Sequence, residues 1–147
     1  MADFYGCLES TSFRVKDRAA FLADPDVVYI ASHAKAEGFF DEDGETFSFG
    51  WYGQYPSTIL TNYDTDTGEE NAVSIGDVIQ RHIFPGEVCQ IGISGNEKLR
   101  YIGGDIQWVT SKGVVSFNGV TEWSDRTSET KLREFADDFV KQVRAVL

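Results

Sequence analysis

The sequence predicts an α+β fold, in which one bent antiparallel sheet packs with about three helices, and three observations support this class. An Asp-Gly pair separates two apolar runs, which is typical of a β-hairpin. Alternating apolar residues between Gly86 and Gly119 indicate further strands, and helical spacing from Ser128 to Leu147 indicates a C-terminal amphipathic helix. No linker or repeat interrupts the chain, so residues 1–147 are expected to form a single domain.

The N-terminal part contains one predicted strand and one short helix. Ser10 to Val15 alternates, with Phe13 and Val15 on one side, which predicts a strand. A helix follows, because Asp17 can cap its N-terminus and Pro25 cannot continue it. The β-branched run "DVVYIAS" then favours a second strand, and a helix through "YIASHAKAE" is the alternative.

The clearest hairpin signal is Asp43-Gly44, which suits a type I′ turn because both central residues of such a turn need a positive φ. On its second arm, Phe47, Phe49 and Trp51 fall on one face. The next segment, "YGQYPSTIL", is expected to be an irregular or edge strand, because its proline cannot donate a ladder hydrogen bond. A polar, acidic loop, "TNYDTDTGEEN", follows it.

The next predicted helix begins at Ser74, which has capping-box spacing with Asp77. The segment "FPG" ends this helix. Its apolar stripe consists of Ile75, Val78, Ile79, His82 and Ile83. The C-terminal helix has a comparable stripe, formed by Leu132, Phe135, Ala136, Phe139, Val143 and Val146.

Glycines and two cations lie close together in "GNEKLRYIGGD". The spacing fits neither a Walker loop nor a dinucleotide-binding fingerprint, and a strand rather than a helix follows it. We therefore interpret the segment as sheet structure, with a turn at "SGNE", a strand through "KLRYI" and a bulge at Gly103-Gly104. Cys89, Ile91 and Ile93 predict a strand before it, and "DIQWVT" and "VVSFNG" predict strands after it.

The formal net charge is -11, and its distribution along the chain is uneven. The segment from Ala36 to Gln80 has ten acids and no Lys, Arg or His, whereas the rest of the chain has 14 acids against 13 bases. A field of this sign repels nucleic acid and attracts basic surfaces. We therefore expect a basic protein partner and no direct binding of nucleic acid.

The sequence singles out neither a metal site nor a catalytic group. Asp64 and Asp66 are spaced like the start of a calcium loop, but Ile75 stands where a bidentate Glu is needed, so calcium binding there is left open. Cys89 lies in an apolar strand and His82 on the core stripe of a helix, so both are expected to be buried rather than catalytic. No cofactor is expected.

No apolar run is long enough to span a membrane, and the N-terminus lacks the basic start and apolar stretch of a signal peptide. Two cysteines are too few for a disulfide framework. These features predict a soluble, cytoplasmic protein with reduced thiols and no membrane partner. They do not predict an oligomeric state.

Acidic and aromatic residues are interleaved in the same third of the chain, which favours a protein-binding surface. The acids would complement a basic partner, and the aromatic side chains would anchor it. The alternative, in which the acids serve only solubility, stays open. The expected partner-binding residues are Asp41, Glu42, Asp43, Glu45, Trp51, Tyr52, Tyr55, Asp64, Asp66, Glu69 and Glu70.

The segments "TSFRVKDRAAF" and "GNEKLRYIGGDIQWVTSKGVV" resemble those of a group of small acidic proteins from phages, plasmids and conjugative elements. The resemblance covers the N-terminal strand and helix and the central strands. It implies a setting in which small, acidic, non-enzymatic proteins disable host defence, including restriction and CRISPR machinery. No catalytic residue carries over from it.

The leading expectation is therefore a non-enzymatic inhibitor from a mobile element that blocks a nucleic-acid-handling host defence protein, of the anti-CRISPR or anti-restriction type. An immunity protein that neutralises a nuclease toxin would use the same acidic surface and is the alternative. A small hydrolase or ligand-binding protein is a further alternative, and it requires a deep pocket that holds His82 or Cys89.

Overall fold

A computed structural model describes residues 5–54, 56–97, 101–118 and 128–147, and these residues form the predicted α+β fold. The described strands are β1 (Tyr5–Ser10), β2 (Phe13–Arg14), β3 (Gly38–Asp43), β4 (Thr46–Gln54), β5 (Ile59–Tyr63), β6 (Glu70–Ser74), β7 (Cys89–Glu97), β8 (Tyr101–Thr110) and β9 (Gly113–Asn118). The described helices are α1 (Arg18–Ala23), α2 (Pro25–Glu37), α3 (Ile75–His82) and α4 (Glu129–Ala145).

Most strands belong to one antiparallel sheet, in the order β3-β4-β1-β7-β8-β9. Strand β2 follows β1 along the same edge of β4, with the register displaced by one residue: Glu9 pairs with Gly50, whereas Phe13 pairs with Phe47. Strands β5 and β6 pair only with each other and form a small second sheet. The predicted antiparallel sheet is confirmed, although the central strand β1 has no counterpart among the predicted elements.

The core lies between one face of the large sheet and helices α1 to α3. Alternation along β4 sends Phe47, Phe49 and Trp51 to this face, as predicted. Burial of one large apolar side chain of this kind contributes about 1.5–3 kcal/mol to stability. The three helices bury Phe21, Val27, Ile30, Ala34, Ile75, Val78 and Ile79 against it.

Helix α4 packs on the opposite face of the sheet. The ring centroid of Phe139 lies 5.7 Å from that of Trp108 in β8, and the ring centroid of Phe135 lies 5.6 Å from that of Phe117 in β9. The predicted stripe is too wide, because a helix that rests on a single layer buries only a narrow strip of its surface. Leu132 and Ala136 are exposed, whereas Phe135, Phe139, Val143 and Val146 are partly buried.

Residues 26–32 are helical, so the predicted second strand is wrong and the alternative helix is correct. Asp24 accepts a hydrogen bond from the N–H of Asp26, and Pro25 occupies the first turn of α2. Val27 and Ile30 are buried on one side of the helix. Capping and burial therefore outweigh the strand propensity of the β-branched run.

The predicted β3-β4 hairpin is confirmed, but its turn lies one residue later along the chain. Asp43 pairs with Thr46, so Gly44 and Glu45 are the central residues, and Gly44 has a φ of 62°. The register is fixed by the core, because a slip of one residue would turn Phe47 to the other face.

The predicted turn at "SGNE" and the predicted bulge at Gly103-Gly104 are both wrong. Residues 94–97 continue β7 and pair with residues 101–104 of β8 in unbroken register. Gly103 pairs with Gly95 and Gly104 pairs with Ser94, with no inserted residue between them. Residues 98–100, which include part of the predicted "KLRYI" strand, lie outside the described residues.

Two of the predicted helices begin where the sequence indicates. The Asp17 carboxylate accepts the N–H of Ala20 at the start of α1. Helix α3 follows Ser74, but that side chain makes no capping hydrogen bond, so the predicted capping box is not formed. Among the described residues, no helix has the length and apolar character needed to cross a membrane.

Candidate functional site

The acidic third of the chain is divided between two hairpins that belong to different sheets. Asp41, Glu42, Asp43 and Glu45 lie on the β3-β4 hairpin, which we call the first acidic hairpin. The β5-β6 hairpin, which we call the second acidic hairpin, carries Asp64, Asp66, Glu69 and Glu70. All eight side chains are exposed. The sequence therefore predicts that these acids are exposed, but it does not predict that they lie on two hairpins of different sheets.

The first acidic hairpin is fixed at its tip by one cation from α1. Arg18 forms an ion pair with Glu42 and donates from Nε to the carbonyl oxygen of Gly44 at 2.8 Å. Among the described residues, no cation lies within salt-bridge distance of Asp41, Asp43 or Glu45. The charges of these three acids are therefore not neutralised by a close cation of the described residues, whereas Glu42 is paired with Arg18.

Asp64 organises the loop of the second acidic hairpin. Its Oδ1 atom accepts the backbone N–H of Asp66 at 2.9 Å and that of Thr67 at 3.3 Å, and these hydrogen bonds lower the pKa of the carboxyl group. Gly68, with a φ of 71°, completes the turn. The Asp-x-Asp spacing thus has a local structural explanation. In the described part of the chain, no group of three acidic, His or Cys side chains is placed to hold a metal ion.

The three predicted aromatic anchors have different positions. Trp51 is only 4% exposed and packs between Phe49, with ring centroids 5.7 Å apart, and His33 at 4.8 Å. It therefore cannot present its indole to a partner in this fold, because alternation along β4 directs it into the core. Tyr52, the next residue, faces the opposite side and is 76% exposed. Tyr55 lies outside the described residues.

Pairing also creates an open groove on the second face of the sheet, on the side that α4 leaves open. Its volume is about 850 Å³. One cross-strand row runs through its centre, and because directly paired residues share a face, this row is a line of neighbouring side chains. The row consists of Phe39, Gly50, Glu9, Gly92, Ile106 and Phe117.

Small and polar groups line the floor of this groove around an exposed Glu9. Cys7 Sγ lies 3.4 Å from Ser94 Oγ on one side of that row. Asp41 brings the first acidic hairpin to the rim, two residues along β3 from Phe39. No Lys or Arg is among the described lining residues. The described lining of the groove is therefore acidic, and Phe39 and Phe117 form its aromatic walls.

The sequence alone does not reveal this groove, because it depends on long-range strand register. Glu9 pairs with Gly50 and Gly92, which follow it by 41 and 83 residues. The available signal is local: Cys7 and Glu9 alternate with the buried Leu8. That alternation predicts that Cys7 and Glu9 are exposed on one face of a strand, but it does not predict which residues of other strands lie beside them.

The residues considered for nucleophilic catalysis are not arranged for it. Cys89 is buried, and burial raises the pKa of its thiol to about 12, so it is not a thiolate near neutral pH. His82 packs against Phe21, and its Nε2 atom contacts Asp24 Oδ2 at 2.7 Å. Neither residue lines the open groove.

Comparison with known proteins finds no matching family model, no similar curated protein and no similar solved structure.

Proposed function

We propose that the protein is a non-enzymatic, acidic inhibitor from a mobile element, which binds a basic, nucleic-acid-handling host defence protein of the CRISPR or restriction type. The observation that carries the proposal is the first acidic hairpin, where Asp41, Asp43 and Glu45 are exposed and have no cationic partner among the described residues. Such a surface competes for cationic sites that otherwise bind phosphates.

Rigid presentation of these charges supports the proposal. Arg18 holds the turn of the hairpin, and Phe40 and Phe47 hold its strands through a ring contact at 5.9 Å. A partner would not have to order the hairpin on binding, so less of the interaction free energy is lost to conformational entropy. Tyr52, on the adjacent open face, supplies an exposed aromatic anchor.

The proposal is tested by capture of host proteins on the immobilised chain, followed by identification of what is retained. A variant with Asp41→Asn, Asp43→Asn and Glu45→Gln removes three charges from the hairpin and leaves the Arg18–Glu42 pair in place. The matched control, Glu134→Gln, Asp137→Asn and Asp138→Asn, removes three exposed charges from α4.

We expect the wild-type chain and the α4 control to retain the same basic protein, and the hairpin variant to lose it. The captured protein, once purified, should bind its nucleic acid more weakly when the wild-type chain is present. Retention of a nuclease toxin instead would favour the immunity-protein alternative. Equal retention by all three chains would contradict the proposal.

A further inference from the structure

We propose that the open groove binds an arginine side chain of the partner protein, with Glu9 pairing with the guanidinium group and Phe39 stacking on it. This inference rests on the proposed function, since it requires a basic protein partner. It states where one arginine side chain of that partner binds on this chain. It adds a site on the open face of the sheet that is centred on Glu9 in β1 and includes Phe39 and Asp41 of the first acidic hairpin.

The first argument is the isolation of Glu9 within its row. Glycines flank it on both sides, Gly50 in β4 and Gly92 in β7. A Cβ atom placed on Gly92 would have no atom within 4 Å, so the space beside the carboxylate is open. Neighbouring strands lie about 4.8 Å apart, so Gly92 leaves a gap about as wide as a planar side chain beside Glu9.

The second argument is the position of the Phe39 ring. Its Cε1 atom lies only 2.8 Å from the place where a Cβ atom of Gly50 would stand. A larger residue at position 50 would push the ring away, so this glycine allows the aromatic ring to approach the Glu9 side of the row. An aromatic face beside a carboxylate is a favourable environment for a cation.

The third argument is charge. Three acids, Glu9, Asp41 and Asp105, line the groove, and no described lining residue is Lys or Arg. An anion would be repelled, and a neutral donor would gain a hydrogen bond from a carboxylate but not the Coulombic attraction that a cation gains. A guanidinium group suits this site better than an ammonium group, because it is planar, stacks on rings and pairs with a carboxylate through two donors.

The inference is tested with N-acetyl-argininamide, followed through the backbone amide signals of the ¹⁵N-labelled chain. The uncharged control ligand is N-acetyl-citrullinamide, which has nearly the same shape. We expect saturable shifts centred on Gly50, Gly92 and Glu9 with the arginine compound only. Shifts of equal size with both compounds, or shifts spread over the chain rather than grouped around Glu9, would overturn the inference.

Two variants test the site itself. Glu9→Gln removes the charge and is expected to weaken binding of N-acetyl-argininamide about tenfold. Gly92→Val fills the gap beside Glu9, and the fold has room for this side chain. The matched controls are Glu134→Gln, an exposed acid on α4 outside the groove, and Gly53→Val, a glycine with open space that does not line it.

The two control variants should bind N-acetyl-argininamide as the wild-type chain does, and dispersed amide spectra would show that every variant is folded. Unchanged affinity in both Glu9→Gln and Gly92→Val would overturn the inference.

The captured partner separates the failure of this inference from the failure of the proposed function. If the hairpin variant loses the partner while Glu9→Gln and Gly92→Val keep it at full affinity, the groove inference is wrong and the proposed function stands. If N-acetyl-argininamide binds as expected but no basic partner is retained, the site stands and the proposed function is wrong.

Discussion

The Nε2 atom of His82 lies 2.7 Å from Oδ2 of Asp24, and this contact joins the end of α3 to the junction of α1 and α2. The same carboxylate accepts the backbone N–H of Asp26 at 3.0 Å and a hydrogen bond from Arg81 at 3.2 Å. Asp24 therefore connects three helices of the layer that forms the core: its side chain contacts α2 and α3, and its backbone N–H donates to the carbonyl oxygen of Phe21 in α1.

Replacing Asp24 with Ala should lower the free energy of unfolding by about 2 kcal/mol, because the change removes a helix cap and two side-chain partners together. Urea denaturation measures the loss. The control is Asp26→Ala, which removes only a half-exposed ion pair with Arg81 and should cost about 0.5 kcal/mol. Equal losses in the two variants would show that Asp24 does not hold the junction.

The contribution of Asp24 should depend on pH. Desolvation raises the pKa of this carboxyl group, but hydrogen bonds from His82 and the N–H of Asp26, with the charge of Arg81, outweigh it, so its pKa lies below 3.8. A lowered pKa in the folded state gives stabilisation that is complete above the unfolded-state pKa, about 3.9, and is lost as pH falls through the folded-state pKa.

Unfolding of the wild-type chain and of Asp24→Asn, measured across pH, checks this sign. The difference in unfolding free energy should shrink as the pH falls below about 4. A difference that instead grew as the pH fell below about 4 would contradict the assigned hydrogen bonds.

The two cysteines should differ in their reaction with a thiol reagent. Cys89 is fully buried and its pKa is raised to about 12, so it should react only when the protein unfolds. Cys7 is half-buried in the groove wall and should react in the folded protein. Titration with Ellman's reagent, using Cys7→Ser as the control, should find one reactive thiol before unfolding and two after it. Two rapidly reacting thiols in the folded chain would contradict this packing.

Truncation of Trp51 should lower the stability of the protein, whereas truncation of Tyr52 should weaken partner binding. Trp51→Ala should lower the unfolding free energy by about 3–5 kcal/mol, because it leaves a cavity between Phe49 and His33. Tyr52→Ala should change stability by about 0.5 kcal/mol and weaken binding of the captured partner. Denaturation curves and partner affinity, measured on both variants, separate the two roles. A stable Trp51→Ala variant would contradict the placement of Trp51 in the core.

Local signals predict several elements of this fold correctly. Asp17 marks the start of α1, and Ser74 precedes α3. Alternation in β4 and β7 identifies the core faces of both strands. Each of these features depends on residues that are close in sequence, so patterns of period 2 or 3.6 are sufficient to find them.

The remaining features depend on contacts between distant residues. Val27 and Ile30 favour a strand locally, yet burial of both on one helical face decides for α2. The pairing of Arg18 with Glu42 spans 24 residues. The groove requires Glu9 to lie between Gly50 and Gly92, which is set by the register of three strands. No local pattern in the sequence specifies such a register. The exposed acidic residues could therefore be predicted from the sequence, but the groove could not.

The central claim is that Asp41, Asp43 and Glu45 of the first acidic hairpin, which have no cationic partner in the described part of the chain, bind a basic partner. The most direct test is the affinity of the captured partner for the wild-type chain and for the Asp41→Asn, Asp43→Asn, Glu45→Gln variant, measured by calorimetry at about 0.1 M and about 1 M salt, with the α4 variant as control. We predict that the hairpin variant binds about tenfold more weakly at low salt and that this difference disappears at high salt. Equal affinity of the hairpin and α4 variants at low salt would contradict the claim.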